Sequence, residues 1–157
     1  MARGTGGKQA KAIGNQLRAA AADIVKATIL EIDANLREVT PVDTGHARAN
    51  WVSSIGSPHR GEDTGAAQAA GVVGVLAYKL EDGPAWETNN VPYIAALNDG
   101  HSAQAPALFV EYAVDKAFAT MQMKFGSRAI PIEKFQSYVG AVGAANMASA
   151  YSPFGDD

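Results

Sequence analysis

The sequence predicts an α+β fold: a long N-terminal helix and a second long helix packed on a small, mostly antiparallel sheet, with an extended arm and tail. Three observations carry this. Leu17, Ala21, Ile24, Thr28, Ile32, Leu36 and Val39 recur at steps of three and four residues, the signature of one apolar helical stripe. Val110, Ala113, Val114, Ala117, Phe118, Met121 and Phe125 do the same later in the chain. Between them lie only short candidate strands, separated by Gly, Pro, Asn and Asp clusters.

Taken in order, residues 1–9 read as a flexible arm, because Gly4, Gly6 and Gly7 disfavour a helix. The first helix is expected over Ala10 to Val39. Asp33 and Arg37 form a favourable acid-before-base pair on the side opposite its stripe. Pro41 ends this helix, since the residue before a proline avoids helical angles. Thr40 to Gly45 is a turn in which Asp43 is placed to cap the next element and Gly45 to take a positive φ. Short strands are expected at Trp51 to Ile55 and Trp86 to Thr88. Between them Ala66 to Leu80 has helix-forming composition, interrupted by Gly71 and Gly74. Pro92 to Leu97 reads as a helical turn ended by Asn98-Asp99-Gly100. The second long helix is expected to start near Pro106 and to close at Gly126. The domain proper thus covers 10–126. Residues 127–157 form a C-terminal extension: Arg128 to Ile132 extended, Glu133 to Ala150 weakly helical, Tyr151 to Asp157 a tail.

The whole chain of 157 residues suits one domain, and 47% hydrophobic with 18% charged residues is a globular composition. With no cysteine, disulfides, thiolate metal sites and thiol catalysis are excluded. A formal charge of −3 opposes a general DNA-coating role, which needs surplus Lys and Arg to neutralise phosphates. No uninterrupted apolar run reaches the ~20 residues of a membrane span. The start of the chain does not read as a secretory signal. An aqueous compartment is expected, with no membrane partner.

Candidate chemistry is sparse. The three histidines, His46, His59 and His101, have no second ligand at a recognised metal spacing. Ser102, His46 and Asp43 could be imagined as a triad, but no G-x-S-x-G elbow frames the serine. The glycines form neither a P-loop nor a dinucleotide fingerprint. No catalytic residue, cofactor or metal is therefore expected. Arg3, Lys8, Lys11 and Arg18 could make a basic arm for nucleic acid, yet no aromatic is interleaved with them.

Two segments are dense in direction-setting residues. One is Thr40-Pro41-Val42-Asp43-Thr44-Gly45-His46-Ala47-Arg48-Ala49-Asn50-Trp51. The other runs from Asn89-Asn90-Val91-Pro92-Tyr93 into Leu97-Asn98-Asp99-Gly100-His101-Ser102-Ala103-Gln104-Ala105-Pro106. On physical grounds both are corners, with Trp51 and Tyr93 filling space between elements. Together, and in this order, they resemble the neck and tail-completion proteins of tailed bacteriophages, over about Leu17 to Phe125. The resemblance falls on Pro41, Asp43, Thr44, Gly45, Arg48, Asn50 and Trp51, then on Asn89, Pro92, Tyr93, Gly100, Ser102, Gln104 and Pro106. Two positions depart from the pattern: Asn98 stands where relatives often carry Glu, and Leu108 where a Gly commonly follows Pro-Ala.

What the resemblance implies is a structural virion protein, synthesised in the host cytoplasm, that forms a ring at the head–tail junction, connects head to tail and lets DNA pass. Its partners would be itself, most simply as a hexamer, and the adjacent head-completion or adaptor and tail-terminator or tail-tube proteins. DNA would cross the lumen without sequence-specific binding. A tail terminator or minor tail protein is the nearest alternative. A small hydrolase or metal enzyme using His46, Asp43 and His101, or a nucleic-acid-binding module, stands further off.

Overall fold

The computed structural model describes residues 5–62 and 65–126. The chain divides into two compact units, residues 1–118 and 119–157. The element order is α1 (Thr5–Val39), α2 (His46–Ala49), β1 (Val52–Ile55), α3 (Ala66–Ala77), a 3-10 turn (Leu80–Asp82), β2 (Ala85–Thr88), α4 (Ile94–Asn98) and α5 (Phe109–Phe125). This is the expected α+β class: long helices with one two-stranded antiparallel sheet. Of the second unit, the end of α5 and Gly126 are described. The strand, helix and tail expected over 127–157 lie outside the described residues.

α1 ends where Pro41 requires, and the Thr40 N–H still reaches the Leu36 carbonyl at 2.9 Å. Its start corrects the sequence reading. The helix begins at Thr5, so residues 5–9 are helical rather than a flexible arm. Once a helix is nucleated, each added residue needs little. Lys8, Gln9, Ala10 and Lys11 are good helix formers that carry it past the glycines. The buried face is Ala22, Ile29, Ile32 and Leu36, whereas Leu17, the first residue of the expected stripe, is exposed.

A second correction concerns Arg37. Its Nε lies 2.9 Å from each Asp33 carboxylate oxygen, as the i,i+4 spacing predicts. The pair does not face solvent, however: Arg37 Nη2 donates to the Trp51 carbonyl at 2.6 Å and Nη1 to the Arg48 carbonyl at 3.3 Å. The pair therefore ties α1 to the segment joining α2 to β1.

β1 and β2 pair with Val52 opposite Thr88, Ser53 opposite Glu87, Ser54 opposite Trp86 and Ile55 opposite Ala85. β1 starts one residue later than expected and β2 one earlier. α3 stops at Ala77, and Leu80 belongs to the 3-10 turn. The core joins Ile32 and Leu36 of α1, Trp51, and Phe109, Ala113 and Ala117 of α5. Asn35 Nδ2 donates to the Ala113 carbonyl at 3.3 Å within the same seam.

The two glycines that interrupt α3 differ in kind. A Cβ on Gly71 would lie 2.1 Å from the Ser53 carbonyl oxygen, so this glycine lets α3 lie directly on the β1 backbone. A Cβ on Gly74 would meet the Ile55 side chain at an ordinary 3.8 Å. Gly71→Ala is therefore expected to cost about 1–3 kcal/mol by overpacking. Gly74→Ala should be neutral or gain up to ~1 kcal/mol from reduced unfolded-state freedom. Thermal melts of the two variants compare them directly, and equal melting temperatures would remove the close α3–β1 approach.

Candidate functional site

The two motif segments, far apart in sequence, form one corner. Gly45 has φ +83° and starts α2, its carbonyl accepting the Ala49 N–H at 2.9 Å. Only its conformation demands glycine, since a Cβ there would meet nothing within 4 Å. Asp43 does not cap α2. The Thr44 hydroxyl accepts the His46 N–H at 3.3 Å instead. Asn50 closes α2 from below, its Nδ2 donating to the His46 carbonyl at 2.9 Å. Arg48 is exposed, and its contribution here is the carbonyl held by Arg37.

From the second motif, Asn89 Nδ2 donates to the Ala47 carbonyl at 2.7 Å while its Oδ1 accepts the Val91 N–H at 3.2 Å. Gln104 Oε1 accepts the Val42 N–H at 2.9 Å, a direct tie between the motifs. The Ser102 hydroxyl accepts the Gln104 N–H at 3.1 Å, setting the turn that presents this glutamine. Pro41, Asp43, Thr44, Gly45, Tyr93, Ser102 and Gln104 thereby line one recess of about 180 Å³. Asn50, Trp51 and Asn89 lie outside this lining and act through the hydrogen bonds that hold the corner. Pro92, Gly100, Arg48 and Pro106 are likewise outside it.

Gly100 has a separate task. With φ +91° it ends α4 in a Schellman arrangement, the Gly100 N–H on the Leu97 carbonyl and the His101 N–H on the Ala96 carbonyl, both at 3.1 Å. A Cβ there would also press on Ala107 at 3.1 Å. α5 begins at Phe109, later than Pro106 predicts, and buried Asn98 organises the entry. Its backbone carbonyl accepts the Leu108 N–H at 2.7 Å and its Oδ1 the Val110 N–H at 2.9 Å. Its Nδ2 donates to Glu111 Oε2 at 3.0 Å. A glutamate at 98 would bring a second acceptor-only group to Glu111, so asparagine and Glu111 belong together. Leu108, the other departure, takes φ +63°, the left-handed region that glycine occupies at no steric cost.

Asp43, His46 and Ser102 all line the recess, but no hydrogen bond joins the three: His46 Nε2 pairs with Glu62 Oε2 at 2.6 Å, and the Ser102 hydroxyl accepts the Gln104 N–H. His101 Nδ1 lies 2.9 Å from the Ala96 carbonyl. Among the described residues no group of three or more His, Asp or Glu is placed to hold a metal ion. Among them also, no helix is long and apolar enough to cross a membrane. Comparison with protein-family models, with curated proteins and with solved structures finds no match to this chain.

Sequence reading missed Glu87, which lies beneath this corner against α1. Its Oε2 accepts from the Ser53 hydroxyl at 2.6 Å. Burial pushes its carboxyl up to about 8, the Ser53 hydrogen bond works against this, and the neighbouring Asp33 carboxylate raises it further. Protonated, Glu87 supplies the hydrogen its buried Oε1 needs beside Asp33.

Leu108→Gly should stabilise the protein by about 0.5–1 kcal/mol, because left-handed angles cost a branched residue ~1–2 kcal/mol and glycine's chain entropy returns part of it. Leu108→Ala keeps the strain and should not gain. Denaturant titration of both variants decides this, and a glycine variant no more stable than the alanine one would contradict the strain. For Glu87 the folded pKa exceeds the unfolded one. The native state thus binds the extra proton, and stability is full below about 4.5, falls as pH rises towards 8 and then levels. Glu87→Gln mimics the protonated group and should flatten this fall, giving a higher melting temperature than wild type at pH 8–9 and little difference at pH 5. Parallel pH–melting profiles for both proteins would show that Glu87 does not carry the buried proton.

Proposed function

We propose that this chain is a structural virion protein of a tailed bacteriophage, forming a ring at the head–tail junction that connects head to tail and lets DNA pass. The observation that carries the reading is the union of the two motif segments into one corner, through Gln104 on the Val42 N–H and Asn89 on the Ala47 carbonyl. Two chance turns in unrelated places would not need each other's side chains. Eight of the fourteen residues of the resemblance have a role of this kind: Pro41, Gly45 and Gly100 bend the chain, Asn50, Asn89, Ser102 and Gln104 bond the corner, and Trp51 anchors it to the core.

The function proposed is one of assembly, without catalysis. It is supported by a recess in which Thr44, Ser102 and Gln104 are engaged in holding backbone. The partners proposed are further copies of the chain in a sixfold ring, with the adjacent head-completion or adaptor protein on one side and a tail-terminator or tail-tube protein on the other. A formal charge of −3 suits a passage that must release DNA rather than hold its phosphates.

The test is the particle itself. Mass spectrometry of purified virions and an image reconstruction of the neck should find the chain as a ring between portal and tail. Suppressing its gene should leave filled heads and separate tails. Placement at the tail's own end would make it a tail terminator. Absence from particles that remain fully infective without it would overturn the reading.

A further inference from the structure

Where α1 meets β2, two carboxyl groups share one cation. Asp33 and Arg37 pair along the helix with side chains only 16% and 28% exposed, and Glu87 of β2 comes up against both. Glu87 Oε2 accepts from the Ser53 hydroxyl at 2.6 Å, whereas Oε1 is fully buried and has no donor in the protein. The groups facing this carboxyl from each packed element are few. α1 brings Asp33 and Arg37, and β1 brings Ser53, which does not titrate. α3 carries no charged residue and brings Gln68, whose Oε1 lies 3.5 Å from Arg37 Nη1.

With a proton on Glu87 the cluster is neutral, Asp33 against Arg37, and the guanidinium has donors left for backbone. Nη2 holds the Trp51 carbonyl at 2.6 Å and Nη1 the Arg48 carbonyl at 3.3 Å, which ties down the segment leaving α2. Arg37 is thus the link between the buried carboxyls and the corner. Without the proton, two carboxylates face one guanidinium, and no other cation is present to answer the second. The guanidinium donors form a rigid fork, so Arg37 cannot turn to Glu87 and keep both carbonyls. A hydrogen bond to a carboxylate is roughly twice as strong as one to a neutral carbonyl, so Glu87 wins that contest.

We infer that Glu87, Asp33 and Arg37 form a proton-operated latch on the corner: with the proton in place Arg37 holds the Arg48 and Trp51 carbonyls, and without it the guanidinium turns to Glu87 and the corner loosens. The core stays folded, because Trp51 keeps its place among Leu36 and Phe109 and its own bond to Thr40. The sign follows from the cluster. Burial pushes the Glu87 carboxyl up to about 8, so the corner is latched below that pH and released as pH rises through it. The latch is a property of the chain alone and does not depend on the virion reading.

Two measurements on the full-length chain test it. Infrared spectra should show a protonated carboxyl at pH 6 that is lost by pH 9 in wild type and missing throughout in Glu87→Gln. In Asp33→Asn it should disappear at least about one pH unit lower, since the like charge beside Glu87 is gone. Amide hydrogen exchange, corrected for the intrinsic effect of pH, reads the corner itself. Between pH 6 and 9, protection of the Ala49 and Asn50 N–H groups, which bond the Gly45 and Ala47 carbonyls, should fall at least about tenfold. Ala113 and Ala117 in the buried seam of α5 should keep theirs. Glu87→Gln keeps a donor beside Asp33 and should hold the corner closed at both pH values. A corner that loosens equally in Glu87→Gln overturns the inference. So does loss of protection in α5 in step with the corner, which would make the proton a matter of global stability only. An infrared band whose midpoint Asp33→Asn leaves unmoved would overturn it as well.

Discussion

The indole of Trp51 sits among Ile32, Leu36, Phe109, Ala113 and Ala117, where an unpaired N–H would be costly. Its Nε1–H donates to Thr40 Oγ1 at 2.8 Å, and that hydroxyl donates to the Leu36 carbonyl at 2.5 Å. One buried side chain thus satisfies its own polar atom by engaging the last turn of α1. On the backbone side of the same residue, the Trp51 carbonyl receives Arg37 Nη2. Trp51 is therefore held at both ends by α1, and everything between Thr40 and Trp51 must bridge the short distance between those two fixed points. That closure is what makes the Pro41–Gly45 turn sharp and α2 only four residues long. A smaller residue at 51 would open a cavity between α1 and α5 and release the corner at once.

The second motif inherits its position from this closure. The His46 and Ala47 carbonyls of α2 are claimed by Asn50 and Asn89. The chain leaving β2 is thereby pinned beside α2 before it enters α4. Gly100 then reverses direction at the end of α4, and Asn98 receives the returning chain at Leu108 and Val110. The positive φ of Leu108 is a consequence: the backbone must present both the Leu108 and the Val110 N–H to one asparagine, and the angle is dictated by that geometry rather than by the residue that occupies it. Glu111, in the first turn of α5, both suits the helix N-terminus and accepts from the same asparagine. A substitution at either of these two positions should thus be read together with the other.

What was legible in the sequence was what is decided locally. Pro41 as a stop, Gly45 as a positive-φ corner, Asn98-Asp99-Gly100 as the end of a helical turn, the Asp33–Arg37 spacing and the two apolar stripes all depend on a few neighbouring residues. Contacts set by register were not legible. Glu87 looks like an ordinary exposed strand residue until pairing with β1 puts it opposite Ser53 and against Asp33. Gly71 and Gly74 look alike as helix breakers, and only the approach of β1 separates them. The same holds within the candidate site. The residues that bend the corner could be named, while the bonds that join it, Gln104 to Val42 and Asn89 to Ala47, require knowing that the two segments meet. The start of α1 was not legible, because the local breaking tendency of Gly6 and Gly7 is overridden by a helix whose anchored half has already overcome the barrier to nucleation.

That last point bears on what α1 is for. Periodicity runs without interruption from Leu17 to Val39, so the sequence treats the helix as one amphipathic element, yet its fully buried apolar residues, Ala22, Ile29, Ile32 and Leu36, all lie from Ala22 onward. If the first half served only as a solvated extension, polar residues at 13 and 17 would do as well, and acidic residues would suit its N-terminal turns better than lysines. Instead the apolar stripe continues outward in step with the buried one, and the first 22 residues hold four basic and no acidic residues. The core therefore holds α1 rigidly at its C-terminal end, through Leu36, Thr40 and Trp51. The consequence is a stiff, basic, apolar-striped rod whose direction is fixed by the same contacts that close the corner.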